Sequence, residues 1–287
     1  MRRKLIKQGL GGVTLSLPIK WVRNNNLQGG DEVSLETDEN KLILSNTEPI
    51  GKKRKEIILE TTNKNHLRSV VSSAYKAGYT EIVLKSKQNF SLKLLNEIVN
   101  SFTGLELVDQ SEKSVTIKSF IVTEEQEIER LIIKMFQITK TIASSFLERN
   151  SNLNYIESLA LTNMRKLRDH CLRSININRY GGDKTYDYYD LVTILEKISA
   201  EFYILNKELI VKGSKLANNC ENFVNLFDNI YQSFLKKNFV YSNSVWLAIG
   251  KEKEILKNLK PSLINMYNYR IAQLLRHLSS RILGLSS

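Results

Sequence analysis

The chain has 287 residues, 42% of them hydrophobic and 25% charged, a composition that builds a core and excludes a disordered polymer. No window approaches the 18 consecutive apolar residues of a transmembrane helix, and two cysteines, Cys171 and Cys220, are too few for a disulfide framework or a zinc ribbon. The net charge of +12, from 42 basic and 30 acidic residues, points towards a polyanionic partner.

That excess is unevenly spread. Residues 1–23 carry Arg2, Arg3, Lys4, Lys7, Lys20 and Arg23 and no acid, so half of the excess lies in the first twelfth of the chain. No apolar stretch follows the basic start, so it does not read as a signal peptide, and a cytoplasmic protein is expected. Residues 3–7 are predicted as a strand, 9–12 as a glycine turn, and 13–17 as a strand that alternates with period two and stops at Pro18. A short helix is predicted over 19–25, with Pro18 suited to its first turn and Asn26 to a left-handed end. A turn at 28–31 leads to a hairpin, 32–36 with 41–44, across 37–40. A block of four short strands, residues 1–47, buries too little surface to stand alone and is expected to complete its core with a second chain.

Residues 47–54 read as a linker that ends in the basic run Lys52-Lys53-Arg54-Lys55, expected to be solvated. The second block, 55–121, is predicted as strand 56–60, helix 65–77 stopped by Gly78, strand 80–85, helix 91–102 capped by Ser91, and a hairpin, 105–108 with 115–120. This βαβαββ order is a small α/β layer.

The third block, 122–287, is predicted to be helical throughout, with apolar residues at alternating steps of three and four. One helix runs from Thr123 through Ile128, Leu131, Met135, Ile138, Ile142 and Phe146. A second spans 152–177, with Ile156, Met164, Leu167, Cys171 and Ile175 inward. After the break at 179–184 come Leu191, Leu195, Ile198, Phe202, Leu205 and Leu209 on a third. Gly213-Ser214 separates it from a fourth, with Leu216, Cys220, Phe223, Phe227, Ile230 and Phe234. Helices over 244–260 and 261–283 complete six. These seams predict an antiparallel bundle, and three helices on either side of Gly213 point to an internal duplication. The fold class expected is α+β and multidomain.

Catalytic patterns fail. Gly9-Leu10-Gly11-Gly12 lacks the third glycine of a dinucleotide loop, because Thr14 stands there, and a strand rather than a helix follows. His66, His170 and His277 are scattered, and no nucleophile stands with a base. A non-enzymatic protein without cofactor or metal is expected. The basic N-terminal segment is more informative. On an extended strand Arg3 and Lys7 share one face, Arg2 and Lys4 the other. Doubled by a two-fold axis, such strands make a platform that can enter a DNA groove.

Three runs, Arg3-Lys4-Leu5-Ile6-Lys7-x-Gly9, Val13-Thr14-Leu15-Ser16-Leu17-Pro18-x-Lys20-Trp21-Val22 and Leu27-x-x-Gly30-Asp31-Glu32-Val33, together resemble the SpoVT/AbrB swapped-hairpin domain. The variant Pro18-x-Lys20-Trp21-Val22 is similar to archaeal proteins in which this domain precedes a PhoU-like helical region, and the six-helix block resembles PhoU, two three-helix repeats. The resemblance implies an obligate homodimer in which each chain completes the other's small barrel, and transcriptional control of phosphate uptake. It implies double-stranded DNA as partner, touched by Arg2, Arg3, Lys4 and Lys7, with Lys20 and Arg23 as flanking phosphate contacts. Asn25 stands where a leucine is usual. PhoU-like repeats carry a glutamate and an aspartate four apart. Here Glu196 is kept but Ala200 replaces the aspartate, and Asn265 and Tyr269 fall where the second pair would. The metal clusters are therefore expected to be lost, with Glu196 and Asp169 left as surface or ion-pair residues. The alternative role is an adaptor that works by protein contacts on a phosphate transporter or sensor kinase. An antitoxin-like role is disfavoured by the size of the helical region.

Overall fold

The computed structural model describes residues 2–9, 11–38, 41–46, 54–121, 124–145, 152–211 and 218–287. The chain is α+β and forms two compact units, Met1–Gly51 and Lys52–Ser287.

In the first unit β1 (Leu5–Gln8) pairs antiparallel with β2 (Gly12–Leu15), and β3 (Val33–Asp38) with β4 (Lys41–Asn46). Helix α1 (Ile19–Asn24) lies between the hairpins. Asn26 has φ 52° and ends the helix in the left-handed region, as the sequence predicts. Among the described residues of one copy the four strands form two separate hairpins and no barrel, because strands of four to six residues in one copy offer too few partners to close one. One reading is corrected. The first strand begins at Leu5, not Arg3. The register pairs Leu5 with Leu15, and the turn of the chain at Pro18 removes the partners that Arg3 and Lys4 would need. No described side chain of this unit is buried.

The second unit opens with β5 (Arg54–Leu59), α2 (Lys64–Lys76), β6 (Glu81–Ser86), α3 (Leu92–Asn100), β7 (Leu105–Gln110) and β8 (Ser114–Ser119), the predicted order. Asn63 caps α2 through the Asn65 N–H (2.9 Å), and Ser91 caps α3. The sheet runs β5-β6-β8-β7, with only β5 and β6 parallel. One face buries Ile82, Leu84, Val115 and Ile117 under Leu67, Val71, Tyr75, Leu95 and Ile98 of the helices. Arg54 and Lys55, expected in a solvated linker, belong to β5, while Lys52 and Lys53 lie outside the described residues. The strand extends this far because Arg54 pairs in register with Glu81 and meets its carboxylate at 3.4 Å. Gly104 connects α3 to β7 at φ +68°, where any Cβ would stand 2.6 Å from that of Ile121.

Helices α4 (Glu125–Ser144), α5 (Leu153–Glu157), α6 (Met164–Asn178), α7 (Thr185–Val211), α8 (Asn218–Lys236), α9 (Phe239–Lys257) and α10 (Leu263–Leu285) follow. The second predicted helix is not uniform: α5 passes into α6 through a π-helical stretch, Ser158–Asn163, whose wider turn resets the face that α6 presents. Helix α9 starts earlier than predicted, because the Asn238 side chain caps it through the Tyr241 N–H (3.0 Å). Phe146, Gly213-Ser214 and Leu216 fall outside the described residues. The inward series Ile128, Met135 and Ile142, and Leu191 through Leu209, are buried as their spacing predicts. Helices α4, α6 and α7 touch one another, as do α8, α9 and α10. Helix α7 packs on α10 and α4 on α8, joining the two groups around a single core.

Candidate nucleic-acid interface and a buried polar junction

All six predicted DNA-contacting residues are exposed. Arg2, Arg3 and Lys4 precede the paired strand. Lys7 lies in β1 opposite Val13, and Lys20 and Arg23 stand three apart on α1, hence on one helix face. The register puts Leu5 and Lys7 with Val13 and Leu15 on one side of the first hairpin. On the second it puts Val33 and Leu35 with Leu42 and Leu44 on one side. Leu5 is 68% exposed, Val13 63%, Leu35 58% and Leu42 54%, so both hairpins leave apolar side chains in water, with Lys7 among them on the first. Asn25 spends its amide on the Trp21 carbonyl (2.8 Å).

The sequence reading missed a second site, where α2 packs against α6. Asp169 is fully buried and accepts from Arg168 at 2.7 and 3.0 Å and from Ser72 Oγ at 3.3 Å, with Arg68 at 3.6 Å. Arg168 also reaches Glu196 of α7 at 3.1 Å, and Arg165 stands 3.8 Å from the same carboxylate. One guanidinium thus bridges the two carboxylates. The expectation of ion pairs is met, but the expectation of a surface position is not, because α2 roofs the cluster. Among the described residues no group of three or more His, Cys, Asp or Glu side chains stands together as a metal site requires.

One turn further along α6, Arg173 donates to the carbonyls of Tyr75 (2.7 Å) and Tyr79 (2.9 Å), and Asn176 to that of Lys76 (2.8 Å). These side chains satisfy the open carbonyl end of α2 and set a cation against its negative pole. Tyr75 gives its proton to the Thr103 carbonyl (2.7 Å), so its oxygen accepts from His170 Nδ1 (3.2 Å). Burial, helped by the Arg173 cation, pushes the His170 imidazole below its ordinary value. Burial raises the Cys171 thiol to about 12, which leaves it inert at neutral pH.

The His170 shift has a measurable sign. The unfolded chain takes up this proton near pH 6.5, the folded chain only at lower pH. Stability should therefore fall as pH drops below about 6.5, by up to about 1.4 kcal/mol per pH unit, and level off once the folded state protonates too. Urea midpoints between pH 7 and 5.5 should show this slope in the wild type and a flatter one in His170→Gln. Equal slopes would place the titration elsewhere.

In α6 Arg165, Arg168, Asp169, Arg173 and Asn176 recur at helical spacing, and in α2 Arg68, Ser72 and Tyr75 repeat the same polar spacing, which is the signal from which this junction could have been read. None of the described helices is long and apolar enough to cross a membrane. Compared with protein-family models, with curated proteins and with solved structures, the chain matches none.

Proposed function

We propose that the protein is a homodimeric DNA-binding regulator whose N-terminal units interlock, each completing a small barrel with the other's hairpins, and present Arg2, Arg3, Lys4 and Lys7 to the duplex, with Lys20 and Arg23 on flanking phosphates. The observation that carries this reading is the N-terminal unit itself. It has two amphipathic hairpins and no buried described side chain, and its first 23 residues are free of acid. Apolar area left in water forfeits roughly 25 cal/mol per Å², a loss that a second copy recovers by covering Leu5, Val13, Leu35 and Leu42. The resemblance to swapped-hairpin and PhoU-like proteins supports phosphate uptake as the regulated process and the helical region as its relay. A cytoplasmic location accords with this role.

The test is a gel-shift series across salt concentrations. Affinity should fall steeply as salt rises, and Arg2→Ala/Arg3→Ala/Lys4→Ala/Lys7→Ala should flatten the log–log slope by about 0.9 for every phosphate that the variant no longer neutralises. Unchanged affinity and slope would remove the assignment, as would sedimentation of the wild type as a single chain at micromolar concentration. The size of the helical region, more than half of the chain, supports a second reading as an adaptor on a phosphate transporter or sensor. It predicts normal dimers with no salt-dependent DNA shift.

A further inference from the structure

From Ile255 to the last residue the chain contains Lys257, Lys260, Arg270, Arg276 and Arg281 and no aspartate or glutamate. Three of these cations are engaged. Arg270 pairs with Glu201, Arg281 with Asp187 and Asp190, and Arg276 lies over the Trp246 ring. Lys257 and Lys260 make no ion pair among the described residues. Both line one groove of about 710 Å³ between the end of α9 and the start of α10, and no acidic residue lines it. Leu259, Leu263, Met266 and Tyr269 supply its apolar wall, with Leu259 and Leu263 41% exposed and Met266 47%.

We infer that this groove docks an acidic amphipathic helix of a partner protein. Leu263, Met266 and Tyr269 step along α10 over about 9 Å, the rise of six helical residues, and so match the apolar anchors of a two-turn helix laid alongside. Methionine adapts to such anchors. The two unpaired lysines select glutamate or aspartate flanking the anchors. A free small molecule fits less well, since such ligands bury most of their surface and this trough leaves two-fifths or more of Leu259, Leu263 and Met266 in water. A two-fold contact of the groove with itself would bring four lysines together. The inference holds whether or not the N-terminal unit binds DNA.

The test is fluorescence anisotropy of two labelled synthetic helices on the full-length protein. Both carry leucine at positions i, i+4 and i+7, and the flanking positions are glutamate in one and lysine in the other. The glutamate peptide should bind at least tenfold more tightly. Its affinity should fall at least tenfold in Lys257→Glu/Lys260→Glu and in Leu263→Ser/Met266→Ser. The replaced side chains are surface ones, and circular dichroism melting confirms that each variant keeps its fold. Equal binding of the two peptides, or binding indifferent to both variants, would overturn the inference. So would self-association of the wild type that Met266→Asp abolishes, which makes the occupant a second copy, or displacement of the glutamate peptide by dodecanoate, which makes it an acyl chain.

Discussion

Replacing Arg168 by methionine is expected to destabilise the protein by about 3–5 kcal/mol, because the change removes one partner from a buried charge network and leaves the others uncompensated. Asp169 is wholly buried and Glu196 nearly so, and both take their shortest ion-pair contacts from this one guanidinium. Arg68 and Arg165 stand at 3.6 and 3.8 Å and cannot replace its hydrogen bonds. Urea unfolding monitored by circular dichroism measures the loss. Lysine at this position keeps the charge but lacks the planar fork that serves two carboxylates at once, so Arg168→Lys should recover only part of it. The triple variant Arg168→Met/Asp169→Asn/Glu196→Gln removes the orphaned charges and should regain most of the stability. A loss below about 1 kcal/mol in Arg168→Met would mean that water solvates the cluster, as it does an exposed pair.

The network also bears on metal binding. Ala200, Asn265 and Tyr269 carried the expectation, drawn from the resemblance alone, that metal clusters are lost. What was not legible is that the two remaining carboxylates meet across an arginine. That arrangement needs α6 and α7 side by side and α2, nearly a hundred residues earlier in the chain, laid over them. Periodicity reports which face of a helix is polar and is silent on what covers that face. Apolar series such as Leu191, Leu195, Ile198 and Phe202 were legible because a core admits one kind of partner. Asp169 was expected at the surface or in an ion pair, and Arg165, Arg168 and Arg173 around it carried no reading, because water and a second polar surface select the same residues. In the N-terminal unit the hairpins, α1 and the left-handed Asn26 could be read locally from glycine, proline and alternation. Whether those hairpins pair further is a question of long-range register, which local pattern does not answer.

Phe136→Ala is expected to cost about 3–5 kcal/mol and to do so in a single transition. Phe136 of α4 is fully buried, with ring centroids 5.1 Å from those of Tyr231 and Phe234 and 5.9 Å from that of Phe227, all on α8. Phe202 of α7 closes edge-on against Phe227 at 6.1 Å. These rings therefore join the group formed by α4, α6 and α7 to the group formed by α8, α9 and α10. Alanine at 136 removes an aromatic side chain from the join and leaves a cavity that long helices cannot collapse around. If the two groups were independent folding units, calorimetry of the variant would resolve an early transition for one group and leave the other near its original temperature. A shared core predicts that the melting of both groups shifts together, with van't Hoff and calorimetric enthalpies of the helical unfolding still in agreement. An internal duplication would thus have kept its threefold helix pattern while giving up the autonomy of each half, since neither group could bury Phe136 or Phe227 alone.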